Sequence, residues 1–205
     1  MSIAKTRQKL VDVARELFAL KGLEETTMND IALLSGKGRR TLYTYFRNKD
    51  EIYSAVIASE LERLSEKMDE VAQTTVAPDR KIIMLIYTHL NLIKETVARN
   101  GSLRAKFFHD INNVERVRKA FDIEERHILR RVLQEGIAQG KFQVDNVNLL
   151  ADLLHYAVKG IEIAYMYDRL GEGLSEADSI PVVERLVQRI LGIQVEEKLE
   201  LQHHQ

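Results

Sequence analysis

TMNDIALLSGKGRRTLYTYFRNKDEIYSAVI, residues 27–57, holds two short helical patterns parted by a glycine turn. Thr27 and Asp30 have the spacing of a capping box, and Met28, Ile31 and Ala32 supply one buried face. Gly36-Lys37-Gly38 stops that helix in a tight turn. The next helix is predicted from about Arg39 to Phe46, with Leu42 and Phe46 turned inward at i, i+4. Asn48-Lys49-Asp50-Glu51 then reads as the capped start of a further helix.

Such a pair, with basic and hydroxyl residues on its second member, is the sequence form of a helix-turn-helix. The second helix must keep one face apolar to sit on its neighbours, while the opposite face carries groups that reach base edges in the major groove. Arg39, Arg40, Thr41, Tyr43 and Thr44 are the positions left over once Leu42 and Phe46 face inward, and they are the predicted base-reading residues. Arginine can pair bidentately with guanine, and threonine can meet a base or the thymine methyl. Thr27, Tyr45 and Lys49 are better placed for phosphate, Lys49 at a helix N-terminus that itself favours an anion.

Charge supports this. The net charge of −1 hides an asymmetry: residues 1–50 carry 10 Lys and Arg against 6 Asp and Glu, and residues 51–205 carry 20 against 25. A basic run is ordinarily a solvated helix end; here the turn, the two caps and the interleaved tyrosines coincide with it.

Working outward, Leu10, Val13, Ala14, Leu17 and Phe18 mark a first helix ending at Lys21-Gly22. Helices are further predicted over about 48–73, 79–99, 103–110, 113–139, 146–170 and 180–194, with breaks at Pro78, Asn100-Gly101, Gly140 and Gly171-Glu172-Gly173. The spacing is helical throughout, so the chain reads as all-α. The division expected is a helix-turn-helix domain over 1–47 and a larger helical domain over 48–205, with 48–73 as linking helix. Hydrophobic residues at 45% and charged residues at 30% are ordinary for a globular protein. No cysteine is present, which excludes disulfides, thiol catalysis and thiolate zinc sites. No membrane span and no signal-peptide core are read, so a cytoplasmic location is expected.

The 27–57 segment closely resembles the TetR family of bacterial transcriptional regulators. The matching elements are Phe18 and Gly22 in and after the first helix, Ile31-Ala32, Gly36, and Thr41-Leu42-Tyr43-x-Tyr45-Phe46-x-Asn48-Lys49-x-Glu51. The match covers about the first quarter of the chain. It implies that Thr27, Tyr43, Tyr45 and Lys49 contact phosphate and that residues 38–44 read bases. The chain departs from the family pattern at Lys37, Gly38 and Arg40, which points to more arginine readout and hence guanines in the half-site. The resemblance also implies repression, a homodimer closed by a four-helix bundle, a palindromic DNA operator and a small-molecule effector bound in the second domain.

One helix-turn-helix covers few base pairs, so specific binding normally needs two of them. The last two helices carry more apolar residues than one intramolecular face requires, and Leu150, Leu153, Leu154, Ala157, Ile161, Val183, Leu186, Val187 and Ile190 are the predicted dimer contacts. Polar or aromatic groups among apolar neighbours are the candidates for an effector pocket: Tyr87, His89, Phe107, Phe108, His109, His127, His155, Glu162 and Tyr165. Glu162 between two isoleucines could pair with a cationic ligand.

An enzyme has one foothold, Glu124-x-x-His127, a di-iron spacing that needs a second copy the chain lacks. No metalloprotease helix, phosphate loop or serine elbow occurs, so no catalytic residue, metal or cofactor is expected. The competing reading, a helical dimer that binds no DNA and serves as a protein-interaction or small-molecule-binding module, leaves the basic turn and its tyrosines without a purpose.

Overall fold

The structure, a computed structural model, describes residues 3–99 and 111–193. The fold is all-α: α1 Ile3–Lys21, α2 Met28–Leu34, α3 Arg39–Tyr45, α4 Lys49–Ala72, α5 Pro78–Arg99, α6 Ile111–Ala138, α7 Val147–Met166 and α8 Glu176–Ile190, with a 3-10 turn at Leu170–Glu172. The helix expected over 103–110 lies outside the described residues. Among the described residues no helix is long and apolar enough to cross a membrane.

Helix ends fall where local chemistry satisfies their free amides. Asn48, Asn146 and Ser175 each accept from the backbone N–H three residues on, at Glu51, Leu149 and Asp178. The Ser175 cap explains a difference from the sequence reading. α8 starts at Glu176, well before Pro181, rather than at about 180. Pro181 cannot donate to the Ala177 carbonyl, but Ala177 is exposed, so its carbonyl is open to solvent rather than left unpaired in the core. α7 likewise stops at Met166 instead of about 170, because Asp168 enters the left-handed region at φ 52°.

α1, α2 and α3 close around Leu10, Ala14, Phe18, Ile31 and Leu42, all fully or almost fully buried, and Tyr53 of α4 meets the Phe18 ring edge-on at 6.3 Å. Burial of this kind makes truncation of a side chain such as Leu42 cost about 2–5 kcal/mol. α4 packs against α1, α5 and α6, and α7 packs against α5 and α6. α4 therefore belongs to both packed groups.

Polar contacts join the groups as well. Arg15 of α1 reaches α4 through Glu60 at 2.8 Å and the Ser59 hydroxyl at 2.8 Å. Glu60 in turn accepts from Thr96 of α5 at 3.5 Å. On the other side Lys81 holds Glu135 at 2.8 Å, tying α5 to α6, and Arg131 of α6 pairs with Asp69 of α4.

Candidate functional site

The turn between α2 and α3 is built by its carbonyls. Ser35 N–H donates to Ile31, Gly36 N–H to Leu33 and Lys37 N–H back to Ala32, the last at 3.0 Å. Gly36 sits at φ 65°, which an L side chain adopts only at a cost, so glycine is favoured there. At the other end the predicted capping box is present. The Asp30 N–H donates to Thr27 Oγ1 at 3.2 Å and the Thr27 N–H to Asp30 Oδ2 at 2.8 Å. The Lys21 ammonium, with the Thr27 backbone and hydroxyl, pulls the Asp30 carboxyl down to about 2.

This turn presents α3 with Leu42 and Phe46 buried and Arg39, Arg40, Tyr43 and Thr44 exposed, Thr41 being half-buried. The Arg39 and Arg40 side chains make no hydrogen bond or ion pair within the described residues. Their donors stay available for a base edge. The Thr44 hydroxyl donates back to the Arg40 carbonyl at 2.9 Å, leaving its methyl and lone pairs for contact.

The phosphate candidates divide. Tyr43 is exposed and Tyr45 half-buried beside an open cleft that Arg7, Asn48 and Ser54 also line. Arg7 was not singled out by the sequence; its guanidinium lies 5.1 Å above the Phe46 ring, which holds it beside α3. Thr27 spends its hydroxyl hydrogen on Asp30 at 2.8 Å. Lys49 donates to the carbonyls of Leu23 at 2.6 Å and Glu24 at 3.0 Å, so it ties the loop before α2 to the start of α4 and retains a single donor for phosphate. Lys49→Ala is accordingly expected to destabilise the helix-turn-helix and to weaken operator and random duplex about equally, with the salt slope of binding lowered by about one per contact. Titration of both duplexes at two salt concentrations measures this, and loss confined to the operator would contradict it.

The pocket candidates also divide. His89, His155 and Glu162 join a buried network with two residues the sequence reading did not single out, Arg118 and Glu125. His89 Nδ1 donates to Glu125 at 2.6 Å and its Nε2 to Glu162 at 2.9 Å. Since both ring nitrogens face carboxylates, the ring is an imidazolium. Burial pulls the His89 pKa down, but the charge and hydrogen bonds of Glu125 and Glu162 outweigh it and raise the group to about 9. Burial likewise pushes Glu125 up, and the charge of His89 with hydrogen bonds from His155 and His89 brings it down to about 2. Arg118 donates to Glu162 at 2.7 Å and His155 Nδ1 to Glu125 at 2.6 Å. The charges balance, with imidazolium and guanidinium facing two carboxylates.

That balance corrects the reading of Glu162 as the partner of a cationic ligand, because its charge is already compensated inside the chain. His127 lies on the exposed face of α6, as does Glu124 of the di-iron spacing. Phe107, Phe108 and His109 lie outside the described residues. Tyr87 and Tyr165 do come together, with Ser179, at an apolar cavity between α5, α7 and α8. No grouping of metal-ligand side chains suited to an ion occurs among the described residues.

Of the predicted dimer contacts, Leu153, Ala157, Ile161, Leu186 and Ile190 are exposed, Leu150 and Val183 half-buried, and Leu154 and Val187 buried in the chain's own core. The exposed apolar stripe of α7 also takes in Leu149, Tyr156 and Ile163, with Tyr167 just past its end, and that of α8 takes in Val182. Gly160 lies in the α7 stripe with open space where a side chain would be.

The turn geometry, the inward Leu42 and Phe46 and the outward arginines define a helix-turn-helix DNA-binding protein. Comparison with known proteins carries the assignment further. Residues 10–56 match the family model described as bacterial regulatory proteins, tetR family. The chain is 28% identical over 144 residues to the HTH-type transcriptional repressor KstR2 of Mycolicibacterium smegmatis, covering 69% of this chain and 70% of that protein. It is 28% identical over 145 residues to the HTH-type transcriptional regulator TtgR of Pseudomonas putida, covering 67% and 68%. A solved TetR/AcrR-family regulator from Thermobifida fusca shares the fold, with a TM-score of 0.68 at 24% identity over 89% of this chain and 96% of that one. The chain is a DNA-binding transcriptional regulator whose residues 10–56 carry a DNA-binding domain of the tetR type.

Proposed function

We propose that the protein is a homodimeric repressor that reads a palindromic operator and is released from it by a small molecule bound in the domain of residues 48–205. The observation that carries the reading is α3, whose Arg39 and Arg40 project free donors from a helix anchored by Leu42 and Phe46. Dimerisation is supported by the exposed stripes of α7 and α8, which leave Leu153 and Leu186 more than half exposed in the single chain. Large apolar side chains grouped this way favour a partner surface. A twofold dimer would set the two α3 helices at about 34–36 Å, one turn of DNA.

Transmission has a physical route, since α4 belongs to both packed groups and Glu60 holds Arg15 of α1 while accepting from Thr96 of α5. A ligand that shifts α5 against α4 would change the spacing of the two heads and thereby the affinity for DNA. Residues 1–47 would then be the reading head and 48–73 the link. Selection of bound duplexes from a random pool tests the reading. A recovered palindrome with half-sites one turn apart, bound less tightly as salt rises, is the expected result. Enrichment of no sequence by folded protein at low salt would count against it.

A further inference from the structure

Between α5, α7 and the start of α8 lies a partly open cavity of about 110 Å³. Its walls are apolar, from Leu90 and Ile161 on the helices and from Leu170 and Leu174 on the loop that joins α7 to α8. Apolar cavities of roughly 150 Å³ stay dry and take up benzene, so this space is of the order of one small ring.

The polar side of the cavity is specific about what it can bind. The Ser179 hydroxyl donates to the Glu176 carbonyl at 2.9 Å, so in the 2.6 Å pair between Tyr87 and Ser179 the tyrosine is the donor. The Tyr165 hydroxyl donates to Asn91 Oδ1 at 2.6 Å, and the Asn91 amide donates to the Glu176 carboxylate at 2.7 Å. Both phenolic hydrogens are therefore spent, and the two oxygens offer lone pairs only. Glu176 behind them adds negative potential. Burial and this carboxylate hold the Tyr165 hydroxyl protonated up to about 12. A ligand here must bring a donor of its own.

The loop over the cavity is held in a costly conformation. Asp168 at φ 52° and Glu172 at φ 57° are non-glycine residues in the left-handed region, next to Gly171 at φ 55° and Gly173 at φ 87°. A Cβ on Gly171 would lie 2.4 Å from Leu174 Cδ1, so glycine lets Leu174 fold down over the opening. Strain of this kind gathers at ligand clamps and switch segments.

We propose that this cavity binds a small aromatic molecule carrying one N–H or O–H donor, of the phenol, aniline or indole class. Its ring lies against Leu90 and Leu174 and its donor meets the Tyr87 oxygen. The assignment of this ligand as the effector rests on the reading of residues 48–205 as the effector domain. Occupancy bears on α8, which contributes Ser179 and Val183 to the cavity and carries Leu186 on its outer face.

Calorimetric titration of the full chain, free of DNA, with phenol, aniline, benzene and benzoate tests the site. Phenol and aniline are expected to bind more tightly than benzene, and benzoate, which brings a charge but no donor, not to bind. Tyr87→Phe should weaken phenol by up to about tenfold, the worth of one hydrogen bond, and leave benzene unchanged. Leu90→Phe, which fills the cavity, should abolish binding of all of them. Benzoate binding as tightly as phenol, an unchanged phenol affinity in Tyr87→Phe, or no binding of any of the four to folded protein would overturn the proposal. Operator release is measured separately by adding phenol to the DNA complex. Binding without release keeps the site and removes its role as effector site, whereas release that persists undiminished in Tyr87→Phe and Leu90→Phe overturns the cavity as the site through which release occurs.

Discussion

Arg40→Ala is expected to cost the dimer about 2–6 kcal/mol of discrimination between its operator and a duplex altered at one position of each half-site. A bidentate arginine–guanine pair is worth about 1–3 kcal/mol against the wrong base, and the palindromic operator proposed above would present the contact twice. The structure favours a large effect because the Arg40 side chain is exposed and makes no hydrogen bond or ion pair within the described residues, so little is lost inside the protein on substitution. Stability should change by less than about 0.5 kcal/mol, as for most surface positions. The measurement is operator affinity against single-position variants, for wild type and Arg40→Ala. Preference should relax at one position and persist at the others. Wild-type selection yielding only A/T-rich half-sites, or an Arg40→Ala protein with unaltered preferences, would mean that α3 reads the groove through other groups.

Glu125→Gln should destabilise the folded protein by about 3–5 kcal/mol, the usual cost of breaking a buried ion pair from one side. Glu125 is buried and accepts from His89 and His155 at 2.6 Å each, so an amide there leaves the His89 imidazolium leaning on Glu162 alone, which Arg118 already shares. Urea unfolding at fixed protein concentration measures the loss, since the proposed dimerisation would make stability depend on concentration. The pH profile is a second readout. His89 is raised from 6.5 to about 9, so its contribution is complete below 6.5 and is lost as pH rises through 9. Glu125 is lowered from 4.5 to about 2, so its contribution is complete above 4.5 and is lost as pH falls through 2. Wild type should therefore be most stable between about 4.5 and 6.5, with an alkaline decline that shrinks in Glu125→Gln. An unchanged unfolding free energy would show that the network is not ionised in the folded state.

The two experiments probe parts of the chain that the sequence exposes unequally. In residues 27–57 the capping box at Thr27 and Asp30, the turn glycine at 36 and the inward pair Leu42 and Phe46 stand where their spacing placed them. These features are local. A cap and a left-handed turn depend on residues a few positions apart, so the one-dimensional order already contains their geometry. The same holds for most helix ends. It fails at the start of α8, read at about residue 180 and set instead at Glu176 by the Ser175 cap.

Which polar groups meet is settled only by how the helices pack. Glu125 lies on the same α6 stripe as Phe121, Ile128 and Val132, a charged residue at a core position, and that was the available signal. Nothing in the order of residues says that its partners are His89, 36 positions before it, and His155, 30 after. Nor does it say that Glu162 is neutralised by Arg118, that Lys49 is spent largely on carbonyls, or that Leu154 and Val187 turn inward while Tyr156 and Val182 turn out. Helical periodicity determines that a residue lies on an apolar face. Whether that face meets the chain's own core, a ligand or a second subunit depends on how the helices cross, and the crossing is set by packing between segments far apart in sequence.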